Sequence, residues 1–271
     1  MTKEDLGKDL AALGVGAGDV LMVHASLRRL GLGRAEVGEG GAEMLLDALD
    51  AAVRPDGTLL MVLGTDYQMD WVNEHPLEAR AALLAGTPPF DHLNAPVLPE
   101  VGWLAEAFRR RPGTLVSANP SGRFGARGAQ AAELLAEQPW HDYYGPGSPL
   151  DKLCRWGGRI LRLGAAPETV TALHHAEYLA DLPGKKRTRW DYVMAGPDGA
   201  PQHVWIDCLD DAHGIADWAG EDYFKLILDA YLALGRHRAG QVGKARSELL
   251  DAADLVAFGA DWMERQLAPD S

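Results

Sequence analysis

The sequence predicts an α/β protein in which helices flank a mostly parallel sheet, with one antiparallel hairpin added. Short apolar segments of strand length alternate with helical segments through the first two thirds of the chain, a pattern typical of parallel sheets. Two further strand-like segments then surround a Gly-Pro-Asp-Gly turn, Gly196–Gly199, which predicts the hairpin. The hydrophobic share of 47% agrees with a folded chain that buries a core.

The first elements form one strand–helix–strand unit behind an opening helix. Thr2 caps that helix, three leucines recur on one of its faces, and Gly14 ends it. Apolar strands at Asp19–His24 and Gly57–Leu63 enclose the helical pattern of Gly41–Val53. The remaining predicted elements are helices at Val101–Arg110, Ala129–Glu137 and Thr169–Ala180, strands at Thr114–Ser117 and Arg159–Gly164, hairpin strands at Arg187–Met194 and Gln202–Cys208, and closing helices at Tyr223–Leu234 and Ala253–Leu267.

The chain shows no internal repeat and no low-complexity linker, so we expect a single domain over residues 1–271. The segment Thr65–Pro99 is rich in proline and has little periodicity. Loops of this length inside a compact domain usually cover or bind a ligand. We therefore expect a substrate-covering loop region at about residues 65–99.

The charge balance argues against nucleic acid as a partner. The chain has 26 Lys and Arg residues against 39 Asp and Glu residues, a formal net charge of −13, and such a surface attracts cations instead. Its start lacks a signal-peptide pattern, and no segment has the roughly 20 apolar residues of a membrane span. With Cys154 and Cys208 as the two cysteines, we expect a cytoplasmic protein with reduced thiols and no membrane contact.

Two glycine-rich segments, Gly14–Gly18 and Gly31–Gly41, do not match the dinucleotide fingerprint, because the first follows a helix and the second has the wrong spacing. The lysine loop of phosphate-binding enzymes and the GxSxG elbow of hydrolases do not occur either. The segment Val23–Gly31 leaves the first strand with small residues. It is either a backbone site for an anionic or carbonyl-rich ligand or an ordinary strand exit with solvated arginines.

The most informative segment is Thr171–Asp181. On a helix, His174 and Glu177 share one face, whereas His175 points about 100° away. Three interpretations remain open from the residues alone: a general base oriented by a carboxylate, a metal site, or a structural polar pair. We expect Cys154 to be a buried structural thiol and Cys208 to be a strand residue.

Acidic residues follow two of the predicted strands, at the edge where parallel sheets bind ligands. They are Asp66 and Asp70 after the second strand, and Asp207, Asp210 and Asp211 at the end of the hairpin. They form either a wall for a cationic ligand or ordinary surface charge.

Several segments in one order resemble the aminoglycoside 3-N-acetyltransferase family, also called the antibiotic acetyltransferases, and particularly its gentamicin-resistance type. They are Val23–Gly31, Pro55–Asp66, Pro88–Asp91, Ser117–Pro120, Gly147–Leu153, Ile160–Asp181, Leu234–Ala245 and Asp251–Glu264. The segment around His174 is the most diagnostic of them. The chain departs from the family pattern at Asn119, where many members have His, and in a less apolar loop at Gly122–Gly128.

The resemblance implies acetyl transfer from acetyl-CoA to the 3-amino group of a 2-deoxystreptamine ring, an activity that confers aminoglycoside resistance, with no metal. It implies a three-layer α/β/α sandwich unlike the GNAT acetyltransferases, in a monomer or homodimer. By position in the motifs it implies catalytic roles for His174 and Glu177; coenzyme contacts at His24, Ala25, Ser26, Leu27, Arg28, Gly31, Ser117, Arg123 and Phe124; and aminoglycoside contacts at Asp66, Asp70, Glu177 and Asp210.

Three other functions compete with this one. The same fold could acetylate a different, biosynthetic amine. A metal-dependent hydrolase could use His174, His175 and Glu177, and a non-catalytic protein could bind polycations through its acidic residues. The chemistry favours acetyl transfer, because an aminoglycoside amine is largely protonated at neutral pH and needs a base such as His174 before it attacks a thioester.

Overall fold

The computed structural model describes residues 1–33, 40–64 and 70–267, and of Asp70 only the backbone. Nine strands occur in this part of the chain. They are β1 (Val20–Ala25), β2 (Thr58–Val62), β3 (Leu115–Val116), β4 (Phe124–Gly128), β5 (Arg159–Leu163), β6 (Arg187–Ala195), β7 (Pro201–Leu209), β8 (Arg238–Val242) and β9 (Ala245–Asp251).

Ten α-helices occur in the same described ranges. They are α1 (Lys3–Leu13), α2 (Leu27–Leu30), α3 (Gly41–Val53), α4 (Leu77–Leu83), α5 (Trp103–Arg110), α6 (Ala131–Leu135), α7 (Pro149–Arg155), α8 (Leu173–Leu179), α9 (Tyr223–Ala233) and α10 (Ala252–Gln266). Thr2 caps α1 as predicted, since its hydroxyl accepts the backbone N–H of Asp5 at 3.1 Å.

A seven-stranded sheet, in the order β3-β4-β2-β1-β5-β9-β8, forms the centre of the described structure. β1 is parallel to both of its neighbours, with Met22 opposite Leu60 of β2 and Ile160 of β5. β4 and β9 run antiparallel to the strands beside them. Five of the seven strands in the described residues therefore point the same way, which confirms the mostly parallel sheet, although parallel neighbours occur only at its centre.

Side chains of the central strands alternate between two separate hydrophobic cores, one on each face of the sheet. Leu21 and Val23 pack with α1, α3 and α5, whereas Val20 and Met22 pack with α6 to α10. Helices therefore cover both faces, and the three-layer architecture is confirmed.

The predicted hairpin is present as β6 and β7, which pair antiparallel from Arg187 opposite Leu209 to Ala195 opposite Pro201. It forms a two-stranded sheet of its own. Ile206 and Cys208 join the core on the α8 side of the central sheet. A hairpin of two strands has little stability alone, so this packing holds it in place.

Three strands fall where the sequence analysis predicted none. β4 occupies the segment Gly122–Gly128 that was read as a loop, and β8 and β9 follow α9. The sequence of β4, Phe-Gly-Ala-Arg-Gly, lacks the alternation that identifies a strand. Its Gly128 has φ +126°, and a Cβ there would collide with the carbonyl of Gly57, so glycine is required where β4 meets β2.

The segment Thr65–Pro99 contains more regular structure than its sequence indicated. A 3-10 turn at Asp70–Glu74 and the helix α4 lie within it. None of the α4 residues is buried, so the helix has no apolar face that periodicity could reveal. Of the helices in the described ranges, none has the length and apolar character needed to cross a bilayer.

Candidate functional site

A cavity of about 840 Å³ opens at the carboxyl ends of the three parallel strands, which is where α/β sheets bind ligands. The segments after β1, β2 and β5 line it, together with α8 and the hairpin. Its volume suits a substrate of drug-like size or larger. Among the described residues that line it are Val23 to Arg29, Gly64, Leu98, Glu100, Ser121, Tyr143, Tyr144, Glu168, Thr171, His174, Trp190, Tyr192 and Asp211.

His174 projects into this cavity from α8 and is held there by Glu177. Its Nδ1 lies 2.8 Å from Oε2 of Glu177, one helical turn away, as the i, i+3 spacing predicted. Glu177 is 1% exposed, and its Oε1 accepts a hydrogen bond from the hydroxyl of Tyr223. Both carboxylate oxygens are thus engaged, and Glu177 is not among the residues that line the cavity.

Aromatic rings fix the plane of the His174 imidazole. Tyr144 stacks on it with ring centres 5.1 Å apart and planes within 12°, and Phe224 meets its edge at 4.7 Å. Because Nδ1 is engaged by Glu177, Nε2 is the nitrogen that can exchange a proton with a ligand.

α8 itself is anchored at both ends. Lys185 donates to the carbonyls of Glu177, Tyr178 and Ala180 near the C-terminal end of the helix. Gly259 of α10 lets the two helices approach closely, since a Cβ at this position would lie within 3.2 Å of Leu173 and Ala176 side-chain atoms. The base is therefore carried by a rigid element.

The pKa of His174 lies above its ordinary value. Burial alone would lower the pKa of this imidazole, but the negative charge and hydrogen bond of Glu177 outweigh it, with smaller contributions from Asp211 and Asp222. The Glu177 carboxylate thus stabilises the protonated imidazolium that forms when His174 accepts a proton.

His175 takes no part in this arrangement. It is 2% exposed, its Nδ1 lies 2.8 Å from the carbonyl of Tyr144, and its Nε2 lies 3.7 Å from Asp151. The two adjacent histidines have different partners on different sides of α8, so they do not converge with Glu177 on one point. Across the described ranges, no three His, Cys, Asp or Glu side chains are grouped to hold a metal ion.

The cysteines lie outside the described cavity lining, and burial raises the pKa of each thiol to about 12. Both are therefore protonated and poor nucleophiles at neutral pH. Cys208 donates weakly to the Tyr143 hydroxyl at 3.7 Å, which is a structural contact.

We expect the double replacement Cys154→Ala and Cys208→Ala to retain turnover within about threefold, because acetyl transfer of the kind that the resemblance implies can proceed without an enzyme thiol. Steady-state rates, normalised to folded protein by circular dichroism, measure this. A folded but inactive double variant, or an acetylated cysteine detected by mass spectrometry, would indicate a covalent route through cysteine.

The segment after β1 forms one wall of the cavity. His24, Ala25, Ser26, Leu27 and Arg28, for which the resemblance implies coenzyme contacts, all line it. Burial, assisted by the nearby Arg162 charge, lowers the pKa of His24 to about 4, so this histidine is neutral. Its buried Nε2 has no hydrogen-bond partner within the described residues, which leaves a polar atom on the wall for a ligand.

Four other residues expected to contact the coenzyme do not line the cavity. Gly31 ends α2 with φ +78°, and a Cβ there would collide with Lys244. The Ser117 hydroxyl accepts the Phe124 N–H at 2.9 Å, and the Phe124 ring is fully buried. Arg123 is also buried, and its guanidinium donates to carbonyls of the segment between β2 and α5. These four residues make structural contacts outside the cavity lining.

The acidic residues expected to contact the aminoglycoside do not all line the cavity either. Asp66 and the side chain of Asp70 lie outside the described residues, so both stay sequence predictions. Asp210 accepts from the backbone N–H and the Nδ1 of His213, at 3.0 and 3.1 Å, and does not line the cavity. Its neighbour Asp211 does line it. The contact predicted for Asp210 stays a prediction.

Asp211 accepts a hydrogen bond from the Tyr143 hydroxyl at 2.6 Å. Burial raises the pKa of this carboxyl above its ordinary value, and the His174 charge opposes that rise. A half-buried carboxylate beside His174 offers a site for an ammonium group, because a lowered dielectric strengthens the attraction.

The sequence analysis missed the aromatic side of the cavity. Trp190 and Tyr192 line it from β6, and the Tyr192 hydroxyl lies 2.9 Å from Oγ of Ser121. Their spacing of two residues on a strand was the available signal, since it puts both rings on one face.

Comparisons with known proteins agree with this geometry. The sequence profile described as aminoglycoside 3-N-acetyltransferase matches residues 22–264. The chain is 38% identical to aminoglycoside N(3)-acetyltransferase VII of Streptomyces paromomycinus, covering 98% of this chain and 93% of that protein. It is 37% identical to aminoglycoside N(3)-acetyltransferase III of Serratia marcescens, with 97% of each chain covered.

Two solved structures superpose closely on the fold. One is described as AAC-IIIb in a binary complex with CoASH, with a TM-score of 0.90, 38% identity, and 100% of this chain and 99% of that one covered. The other is sisomicin-bound AAC-VIa, with a TM-score of 0.89, 36% identity and 99% of each chain covered. Sequence match and fold therefore agree that this chain belongs to the aminoglycoside 3-N-acetyltransferase family.

Proposed function

We propose that this protein transfers the acetyl group of acetyl-CoA directly to the 3-amino group of a 2-deoxystreptamine aminoglycoside, with His174 as the general base. The observation that carries the proposal is the His174–Glu177 pair, a raised-pKa imidazole oriented by a buried carboxylate, set in a cavity with an acidic and aromatic side. The relatives named above support the acceptor and the coenzyme.

The reaction needs a base because the acceptor amine is largely an ammonium ion at neutral pH. Acetyl-CoA supplies the thioester carbonyl: the neutral amine forms the C–N bond, the C–S bond breaks, and the departing thiolate takes up the proton from the His174 imidazolium and leaves as the thiol of coenzyme A. His174 takes the amine proton on Nε2, while Glu177 holds Nδ1 and stabilises the imidazolium. Tyr144 and Phe224 keep the ring in the orientation for this transfer.

Arginines and a carboxylate on different sides of the cavity support one side for each substrate. Arg28 and Arg29 lie on the β1 side and are exposed, as suits the phosphates of the coenzyme. Asp211 lies on the hairpin side, where it would hold an ammonium group. The neutral His24 and the small residue Ala25 fit the uncharged pantetheine portion between them.

The decisive experiment combines purified protein and acetyl-CoA with 4,6- and 4,5-disubstituted aminoglycosides, followed by thiol release and mass detection of the acetylated position. Acetylation at N3 with efficient turnover supports the proposal. Turnover only on other amines would favour the biosynthetic alternative, and binding without release of coenzyme A would favour a non-catalytic polycation binder.

We also propose that the protein is a monomer or homodimer that acts in the cytoplasm, without nucleic-acid or membrane partners. The cytoplasm supplies acetyl-CoA and keeps thiols reduced, in agreement with two free cysteines. Sedimentation analysis at micromolar concentration tests the oligomeric state.

Asp211→Asn should raise the aminoglycoside KM by about 5- to 100-fold, equal to about 1 to 3 kcal/mol for a charge-assisted hydrogen bond, with the acetyl-CoA KM nearly unchanged. The amide keeps the size of the side chain and an oxygen for the Tyr143 hydroxyl. Asp210→Asn is the matched control, because Asp210 pairs with His213 outside the cavity lining. Equal effects of the two substitutions would contradict the assignment to Asp211.

A further inference from the structure

The two faces of β6 contact different parts of the structure. Trp190 and Tyr192 line the cavity on one face. The residues between and after them, Asp191 and Val193, lie on the opposite face, where they meet the segment Asp70–Leu84. This segment thus lies behind the aromatic side of the cavity.

Asp191 is the centre of the contact between β6 and the segment Asp70–Leu84. It is fully buried, and its Oδ1 accepts from Arg189 at 3.1 Å and from Nε2 of His203 at 2.9 Å, both within the hairpin. Its Oδ2 accepts from Arg80 of α4 at 2.9 Å. The backbone N–H of Asp191 also donates to the side chain of Asn73 at 3.0 Å.

The guanidinium of Arg80 makes several hydrogen bonds across the same contact. It donates to the carbonyls of His75 and Asn73 in its own segment, at 2.9 and 2.8 Å, and to the carbonyl of Arg189 in β6 at 2.9 Å. A planar guanidinium reaches all of these acceptors at once, which an ammonium group does not. We call Asn73, Arg80, Arg189, Asp191 and His203 the Asp191 cluster.

Apolar packing contributes little to this attachment. α4 buries none of its residues, and the shared apolar contact consists of Val72, Leu84 and Val193. The hairpin itself is held by the core on its other side, so this apolar contact is what apolar packing adds between the hairpin and the segment Asp70–Leu84. The Asp191 cluster is therefore the main connection that holds Asp70–Leu84 against β6.

We infer that Asp191, through Arg80, is a positioning residue for the acceptor side of the cavity: it fixes the segment Asp70–Leu84 behind β6 and thereby fixes Trp190 and Tyr192 for the acceptor. This inference rests on the proposed function for the identity of the acceptor. Asp191 touches no substrate, and the β1 side that we assign to the coenzyme belongs to other strands.

The loss of the Asp191 charge is a second reason to expect weaker acceptor binding. Asp191 is the carboxylate that balances the half-buried guanidinium groups of Arg80 and Arg189. Its removal leaves two cations directly behind a wall that receives a polycation. Both the displacement and the repulsion weaken acceptor binding, and neither acts on the coenzyme.

The test compares Arg80→Ala, Arg80→Lys and Asp191→Asn with Arg236→Ala, which breaks an exposed ion pair with Asp254. We expect Arg80→Ala and Asp191→Asn to raise the aminoglycoside KM about tenfold or more while kcat and the acetyl-CoA KM stay within about threefold. Arg80→Lys should give an intermediate KM, because lysine keeps the charge but not the multiple hydrogen bonds.

Hydrogen exchange supplies a readout that does not depend on activity. Amides in Asp70–Leu84 and β6 should exchange at least about tenfold faster in Arg80→Ala, with those of β1 and β5 unchanged, and Arg236→Ala should match the wild type throughout. Unchanged exchange in Asp70–Leu84, or a parallel rise in both KM values, would overturn the inference.

The two proposals fail in different ways. If the wild-type protein acetylates no aminoglycoside, the proposed function fails, and local exchange together with calorimetric binding of the drug decides the positioning role. If the wild type is active and Arg80→Ala has an unchanged acceptor KM, the positioning role alone fails.

Discussion

Replacing His174 with alanine is expected to lower turnover by at least about 100-fold while coenzyme A still binds. The imidazole is the proposed base, held in the cavity by Glu177 and the stacked Tyr144, and alanine removes this proton acceptor without disturbing the β1 side. Thiol release measures kcat, and calorimetry measures coenzyme affinity. Turnover within a few-fold of the wild type would exclude His174 as the base.

His175→Ala is the matched control for this substitution, since it removes the adjacent imidazole from the same helix. His175 is buried against the Tyr144 carbonyl, so the variant should lose stability but keep most of its turnover per folded molecule. A loss of activity equal to that of His174→Ala, at equal folded content, would mean that α8 and not the base had been damaged.

Glu177→Gln should lower kcat by about 10- to 1,000-fold and shift the pH dependence, because the amide no longer stabilises the imidazolium or selects the correct tautomer. In the wild type, His174 must be neutral to act, so kcat/KM falls as pH drops through its raised pKa. Without the carboxylate, burial dominates and lowers that pKa. The acid limb of the profile therefore moves to lower pH.

The measurement is kcat/KM against pH for the wild type, Glu177→Gln and Glu221→Gln. Glu221 is an exposed residue that pairs with Lys225, and its replacement should leave the acid limb in place. An acid limb that stays at the wild-type pH in Glu177→Gln would show that another group than His174 controls it.

Local patterns in the sequence predicted the central fold and the geometry around the base well. The parallel strands and most flanking helices lie within a few residues of their predicted positions, since each carries its own apolar pattern. The spacing of His174 and Glu177 predicted a shared helix face, and the 2.8 Å contact shows it. Their catalytic roles stay predictions.

Features that depend on tertiary contacts could not be predicted from local sequence patterns. β4 and the pair β8 and β9 exist because neighbouring strands accept their hydrogen bonds, not because of their own residues. The turn after β7 decides that Asp211, and not Asp210, lines the cavity. Family resemblance located the segments of Ser117 and Arg123, but packing turned both side chains inward.

The acidic side of the cavity has a consequence for how the product leaves. Acetylation converts one ammonium group of the acceptor into a neutral amide, so the product carries one positive charge fewer than the substrate that Asp211 attracted. The loss of this charge weakens the electrostatic attraction between the carboxylate and the product. The carboxylate that we propose recruits the drug is therefore expected to favour exchange of finished product for fresh substrate and to limit product inhibition.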